Sequence, residues 1–324
     1  VIMRDSKTDT SMRVLVTGGA GFIGSHLCDA LLLAGHQVLA LDDLSLGREE
    51  NVSHQANNPA FRFVKADILQ TDGFETIVRE LAPECIFHMA ANSDIARSHA
   101  DPAVDQERTF MTTFRVLEAM RKNGIKQLVF ASTSAVYGEV EGAVTEHHGP
   151  LQPISHYGAA KLASEAFISS YGENYGIQSW ITRFPNVVGP RATHGAIYDF
   201  VRKLRRTPGR LEVLGDGSQE KPYLSVGDLV DAILLVWRTT SERMNVYNVG
   251  APTRSRVADI AKIVIEEGPG PAEIAYTGGD RGWIGDVPKF AYDISAIEGL
   301  GWWRTMTSDE AVRAAARAIW AETK

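Results

Sequence analysis

The stretch Thr17-Gly18-Gly19-Ala20-Gly21-Phe22-Ile23-Gly24 closes one apolar run and opens a helical pattern, and it limits the possible folds more than any other segment. Its glycines at 18, 21 and 24 have the spacing G-x-x-G-x-x-G. Residues without Cβ allow a tight turn and let backbone N–H groups approach a ligand closely. The helix that follows adds unpaired donors and a partial positive charge, which suits a pyrophosphate. The spacing differs from the G-x-G-x-x-G fingerprint of longer-chain dinucleotide enzymes. A ligand-free glycine-rich turn has the same composition, so the surrounding pattern must decide.

That pattern is a β-α-β alternation. Apolar runs at 13–17, 37–41, 61–65, 85–89, 128–131 and 179–183 read as strands. Helical periodicity covers 25–34, 74–81, about 102–123 and 157–175. The strands are continuously apolar rather than alternating, as in a parallel sheet covered on both faces. The chain is therefore expected to be α/β, a Rossmann-type doubly wound parallel sheet with a smaller C-terminal α/β substrate domain. After Phe184 the elements shorten and Gly and Pro punctuate them (NVVGPR, RTPGR, GDG, GGDRGWIGDVP). A helix at 228–238 and a strand at 245–249 are expected to return to the first sheet. This gives residues 12–183 plus 225–250 for the dinucleotide domain, and 184–224 plus 251–324 for the substrate domain. Residues 1–11 are polar, lack the apolar core of a secretory signal and read as a flexible tail.

Composition narrows the function classes. The net charge is −7, a poor match to nucleic-acid phosphates. Two cysteines, Cys28 and Cys85, cannot build a disulfide framework, and a reducing cytoplasmic compartment is expected. No apolar run reaches the roughly 18 residues of a membrane span. His147, His148 and His194 lack ligand spacing, so no metal is assigned. The 29 glycines in 324 residues exceed the usual share of roughly 7%.

Asp42 closes the second strand, 18 residues beyond Gly24. A carboxylate there accepts hydrogen bonds from an adenosine ribose and repels a 2′-phosphate, which favours NAD over NADP. Asp67 and Ile68, after the third strand, suit the adenine but equally suit a turn. Tyr157 and Lys161 form Y-x-x-x-K at the start of a helix, which places both on one face. A phenol ordinarily titrates near 10. A neighbouring ammonium favours its phenolate, which then exchanges a proton with a substrate hydroxyl. The strand before this helix ends in Ala-Ser132-Thr133-Ser134-Ala135, with hydroxyls at its carboxyl end.

In this order, TGGAGFIGSHL, Asp42, Asp67-Ile68, FHMAA, ASTSAVYG, Y157-x-x-x-K161, RFPNVVGPR and GDGSQEKPY resemble the extended short-chain dehydrogenase/reductases, specifically their nucleotide-sugar epimerase/dehydratase family. The resemblance runs from about Met12 to the C-terminus. It implies Tyr157 as catalytic base, Lys161 as the residue that lowers its pKa and holds the nicotinamide ribose, and Thr133 as the partner of the sugar 4-hydroxyl. For NAD it implies Gly18, Gly21, Phe22, Ile23 and Gly24, then Asp42, Asp43, Leu44, Ser45 and Gly47. Asp67, Ile68, Met89, Ala90, Ala91, Ser132 and Pro185 complete that set with Tyr157 and Lys161. For the sugar nucleotide it implies Ser93, Ile95, Thr133, Tyr157, Asn186, Arg191, Ile197, Val213, Leu214, Lys221 and Tyr223. The late segment adds Arg281, Asp286 and Phe290, the last as a gate beside the sugar 2-substituent.

The implied reaction is epimerisation at C4 of a UDP-hexose, UDP-glucose or UDP-galactose, by a homodimer that keeps its NAD. Departures from the family pattern stand at Lys221, where an arginine is usual, at Thr109, often asparagine, and at Arg281, five residues before Asp286 instead of three. The family's 4,6-dehydratases carry Asp and Glu directly after the catalytic Thr. Here Ser134 and Ala135 fill those places. Read alone, Asn186 also fits a turn cap, Lys221 a solvated charge and Phe290 a core residue. A dehydratase, another nucleotide-sugar epimerase and an NAD(P)-linked reductase stay open as alternatives.

Overall fold

A computed structural model describes residues 10–93, 95–279 and 291–323. In chain order the first elements are β1 Arg13–Thr17, α1 Phe22–Leu33, β2 Gln37–Asp42, β3 Phe61–Lys65, α2 Thr71–Leu81 and β4 Cys85–His88. Then come α3 Ile95–Ala100, α4 Ala103–Asp105, a π-helical turn Gln106–Met111, α5 Thr112–Asn123, β5 Gln127–Thr133, β6 Ala143–Val144, α6 His156–Tyr175 and β7 Gln178–Phe184. The chain continues through β8 Asn186–Val188, α7 Ala196–Arg206, β9 Arg210–Val213, β10 Glu220–Lys221, β11 Tyr223–Ser225, α8 Val226–Thr239 and β12 Met244–Asn248. It ends with β13 Ser255–Arg256, α9 Val257–Glu266, β14 Glu273–Tyr276, β15 Ala291–Tyr292, α10 Ser295–Gly299 and α11 Ser308–Glu322.

Seven strands form the main sheet in the order β12-β7-β5-β4-β1-β2-β3, and the pairs from β3 to β5 run parallel. The chain starts in the middle at β1, winds out to β3, and returns to β4 on the other side of β1. The doubly wound Rossmann-type sheet expected from the apolar runs is therefore present. Continuous burial along β1, β4, β5 and β7 follows from helices on both faces. On one face Phe74 and Val78 of α2, Leu117 and Met120 of α5 and Ile168 of α6 pack on Leu15, Ile86 and Phe130. On the other, the Trp237 ring of α8 meets Phe87 edge-on at 5.1 Å and His36 at 5.5 Å. Each such side chain contributes roughly 1.5–3 kcal/mol by leaving water. Edge strand β3 is only partly buried.

The chain divides into two compact units. The first takes the residues up to Ser132, His156–Arg183 and Ala232–Tyr247. The second takes Thr133–Ser155, Phe184–Asp231 and the chain from Asn248 onward. The sequence pattern gives one domain 12–183 and 225–250, whereas the compact units group 133–155, 225–231 and 248–250 with the second. The reason is local: past Thr133, the last residue of β5, the chain leaves the sheet for the turn Ser134–Val136 and for β6, whose partner is β15.

The second unit is assembled from two-stranded pieces. β8 pairs with β11 in parallel, with Asn186 opposite Tyr223, and β9 pairs with β14, with Val213 opposite Tyr276. α11 starts on a capping box between Thr307 and Glu310 and buries Val312, Ala315, Ile319 and Trp320. The Trp320 indole donates to the Val264 carbonyl at 2.9 Å. Of the adjacent tryptophans, Trp302 is buried and donates to the Asp228 carbonyl at 3.1 Å, while Trp303 is 67% exposed. Among the described residues, no helix is long and apolar enough to cross a membrane.

Candidate active site

The glycine turn after β1 is held by its own backbone. Gly21 N–H donates to the Gly18 carbonyl at 3.0 Å, and Gly19 N–H to Leu41 at 3.1 Å. Gly18 has φ +68°, and a Cβ there would meet the Ala90 nitrogen at 2.8 Å. At Gly24 a Cβ would stand 2.0 Å from the Gly18 carbonyl oxygen. These contacts bring the turn after β1 against the loop after β4, at the point where strand order reverses. α1 then begins at Phe22 without a side-chain cap, so the N–H groups of its first turn are donors without helical partners. A glycine cradle beneath unpaired N–H groups fits the pyrophosphate of a dinucleotide. Phe22, Ile23, Met89, Ala90 and Ala91 are each half-buried around it.

Asp42 is buried at the end of β2. Its carboxylate accepts from Ala20 N–H at 3.1 Å and Leu44 N–H at 2.9 Å. Burial raises its pKa, and backbone donors at Leu44, Ala20 and Gly21 oppose the rise. A carboxylate in this position can also accept from a ribose hydroxyl. Gly47 packs directly on that carboxylate. Asp43 accepts from Ser45, and Asp67 from Leu69 N–H. A residue the sequence did not single out ties the two acids together. Arg108, in the π-helical turn, donates to Asp43 and to Asp67, both at 3.0 Å. Ile68 is buried beside them.

Tyr157 and Lys161 lie one turn apart on α6, as the spacing predicted. Lys161 is only 2% exposed. Its Nζ donates to the Ala131 carbonyl at 2.6 Å, sits 4.6 Å from the Phe130 ring centre and 5.9 Å from that of Tyr157. Burial pushes its pKa down to about 7, against the opposing charges of Glu165 and Asp105. Ser132, expected near the cofactor, is buried, and its hydroxyl donates to Glu165 at 2.5 Å.

His88 is a second group the sequence reading passed over. It is fully buried, with Thr17 Oγ1 at 2.7 Å from Nδ1 and Thr113 Oγ1 at 3.1 Å from Nε2. Burial and then the Lys161 charge push its pKa down to about 3, so it is neutral near pH 7. Thr109, in the place often held by asparagine, accepts from Asn92 N–H at 3.1 Å. Its carbonyl accepts the hydroxyls of Thr112 and Thr113. Ser93 and Pro185 are half-buried, and Ile95 opens α3.

The second unit carries the other expected residues. Thr133 ends β5, and its Oγ1 accepts from Ala135 N–H at 3.2 Å. Asn186 is exposed on β8. Tyr223, opposite it, is buried, and its backbone N–H donates to Ser308 at 3.0 Å. Ile197 and Val213 are buried, whereas Leu214 is 53% exposed. Lys221 stands on β10 opposite Ser255. Arg191 has φ +63°, and its N–H donates to the Glu322 carboxylate at 2.9 Å. Arg281, Asp286 and Phe290 lie outside the described residues.

Comparison with known proteins adds to this geometry. The model of the NAD dependent epimerase/dehydratase family matches residues 14–250. A UDP-glucose 4-epimerase of Mycolicibacterium smegmatis is 36% identical over 299 residues, covering 90% of this chain and 93% of that protein. A crystal structure of a UDP-galactose 4-epimerase is 39% identical, with a TM-score of 0.86, and the match covers 97% of this chain and all of that one. The dTDP-glucose 4,6-dehydratase DesIV of Streptomyces venezuelae, solved with NAD bound, is 29% identical with a TM-score of 0.87, covering 96% of this chain and 98% of that one.

Proposed function

Because the chain belongs to the NAD-dependent epimerase/dehydratase family, with NAD as its cofactor, we propose that it inverts C4 of a UDP-hexose, interconverting UDP-glucose and UDP-galactose. Bound NAD supplies an acceptor that takes a hydride from an alcohol carbon and returns it. The cradle of Gly18, Gly21 and Gly24, the Asp42 carboxylate and Lys161 are the residues to hold it. Tyr157 takes the proton of the C4 hydroxyl and later gives it back. The Lys161 ammonium stabilises the phenolate that stands before the first transfer and again after the second. Thr133 orients the same hydroxyl. The 4-keto sugar turns about its diphosphate link, and reduction on its other face inverts C4. That turn requires the nucleotide to be held tightly and the sugar loosely. Ile197, Val213, Leu214, Lys221, Tyr223 and Arg191 are proposed to hold the nucleotide, with Arg281 and Asp286.

The observation that carries the reading is Ala135. A 4,6-dehydratase of the family's design needs proton-transferring acids directly after the threonine, and Ser134-Ala135 provides none. The likeness to the S. venezuelae dehydratase keeps that reaction as the second reading, and product analysis separates the two. Purified protein is incubated with UDP-galactose without added reductant, and the sugar is followed by NMR. UDP-glucose is expected from the native protein and not from Tyr157→Phe. A 4-keto-6-deoxy product instead would replace the epimerase reading with the dehydratase one. Phe290 as a gate predicts slower turnover of N-acetylated sugars; equal rates would remove that role.

A homodimer joined through α5 and α6 is part of the same proposal. Phe167, 39% exposed, meets Phe110 and Phe114 edge-on, and Tyr175 on the same helix is 42% exposed. Light scattering that gives the mass of one chain would remove it.

A further inference from the structure

We propose that Glu165 is a positioning residue for the proton transfer: its buried carboxylate, held by Arg183 and Ser132, keeps the Lys161 ammonium charged beside Tyr157. The inference rests on the reading of Tyr157 and Lys161 as the proton-handling pair. Tyr157, Lys161 and Glu165 are four residues apart in turn, so one face of α6 carries all three. β5 grips both charged members. Ala131 accepts from the Lys161 ammonium at 2.6 Å, and the next residue, Ser132, donates to Glu165 Oε1 at 2.5 Å. From β7, Arg183 closes a fork on the same carboxylate, Nε to Oε1 at 3.0 Å and Nη2 to Oε2 at 2.5 Å. Glu165 is 3% exposed and Arg183 5%.

An ammonium stripped of water tends to lose its proton, and opposite charge nearby resists this. For Lys161 the largest resisting influence is Glu165, followed by Asp105. The ionisable groups around the pair are Arg183 on β7, His88 on β4, Asp105 on α4 and Tyr157 on α6 itself. Glu118 of α5 instead accepts from Tyr171, further along α6. Three hydrogen bonds hold that one carboxylate in a fixed position one helical turn from Lys161.

Glu165→Gln is expected to move the alkaline limb of kcat for UDP-galactose down by about one pH unit or more, with KM little changed. It also removes the charge that faces buried Arg183, which costs stability. The double variant Glu165→Gln/Arg183→Met removes both charges and is expected to fold while keeping the shifted limb. Glu165→Asp keeps the charge and is expected to keep the native limb. A second readout does not depend on the sugar reaction. The Tyr157 phenolate, read as the ultraviolet difference between each protein and its Tyr157→Phe counterpart, should form at higher pH without Glu165. Failure of the native protein to turn over UDP-galactose would remove the proposed reaction, while this titration still tests Glu165. A folded double variant with a native phenolate titration and a native limb would overturn the inference, leaving Glu165 as Arg183's partner alone.

Discussion

In the first unit the residues with chemistry sit at the ends of buried strands or on α6, and Asp42 and Lys161 are locked by short contacts to backbone. In the second, the residues expected to meet substrate stand on two-stranded pieces stitched together by side-chain hydrogen bonds. Asn248 is one such stitch, accepting from Tyr137 at 2.7 Å and donating to the Val144 carbonyl at 2.9 Å. Ser308 likewise links Tyr223 and Thr253. A cofactor common to a whole family suits the first arrangement, since its cradle is backbone and tolerates almost no substitution. A sugar nucleotide, proposed for the second, would meet side chains on short strand pairs, with Asn186 and Leu214 exposed and Ile197, Val213 and Tyr223 buried.

The sharpest way to break this contrast is Gly24→Ala. Its methyl would stand 2.0 Å from the Gly18 carbonyl, so the turn must open. NAD affinity is expected to fall at least about 100-fold, read by titration of bound cofactor. Native affinity would show that the first unit is not the rigid cradle described.

Next is acid sensitivity. His88 has a pKa of about 3 in the folded protein against 6.5 ordinarily. Between those values the unfolded chain binds a proton that the native one refuses. Stability is therefore full above about pH 6.5 and is lost as pH falls toward 3, by up to several kcal/mol. Urea unfolding at pH 7.5 and 5 should show the loss, and His88→Asn should flatten it by nearly one proton. An unchanged slope would mean that the histidine charges without cost.

Asn248→Ala is expected to cost about 1–3 kcal/mol, because the Tyr137 hydroxyl and the Val144 carbonyl both lose a buried partner. Native NAD affinity is expected alongside that loss, and a parallel fall in affinity would break the contrast. Smallest is Leu214→Ala, at a half-exposed position. Stability should move by less than about 0.5 kcal/mol, while KM for the nucleotide sugar rises a few-fold. An unchanged KM would take Leu214 out of the proposed substrate site.

The same contrast decides how much was legible in the sequence. Apolar runs and glycine spacing report the first sheet directly, because strands covered on both faces have one composition and a backbone cradle has one residue type. Tyr157 and Lys161 were readable because helical spacing fixes which residues share a face. The π-helical turn at 106–111 was not, since it keeps helical composition while shifting register, and so the link from Arg108 to Asp43 and Asp67 was missed. Glu165 and Arg183 did leave a signal. An arginine within the apolar run ITRF needs a buried partner, and a glutamate four residues beyond Lys161 shares its face. The departure of the chain after Thr133 left none, because β6 and β15 are two residues each and carry no period.

The main sheet draws its last strand, β12, from residues beyond two long stretches of the second unit. During synthesis, β7 is therefore finished well before the strand that covers its edge has left the ribosome. For that interval the nascent chain carries an unpaired row of donors and acceptors, the kind of edge that recruits strands from other chains. Holding that edge apart from its neighbours is a task for chaperones or for rapid elongation. No single cut in the gene would release a complete dinucleotide unit.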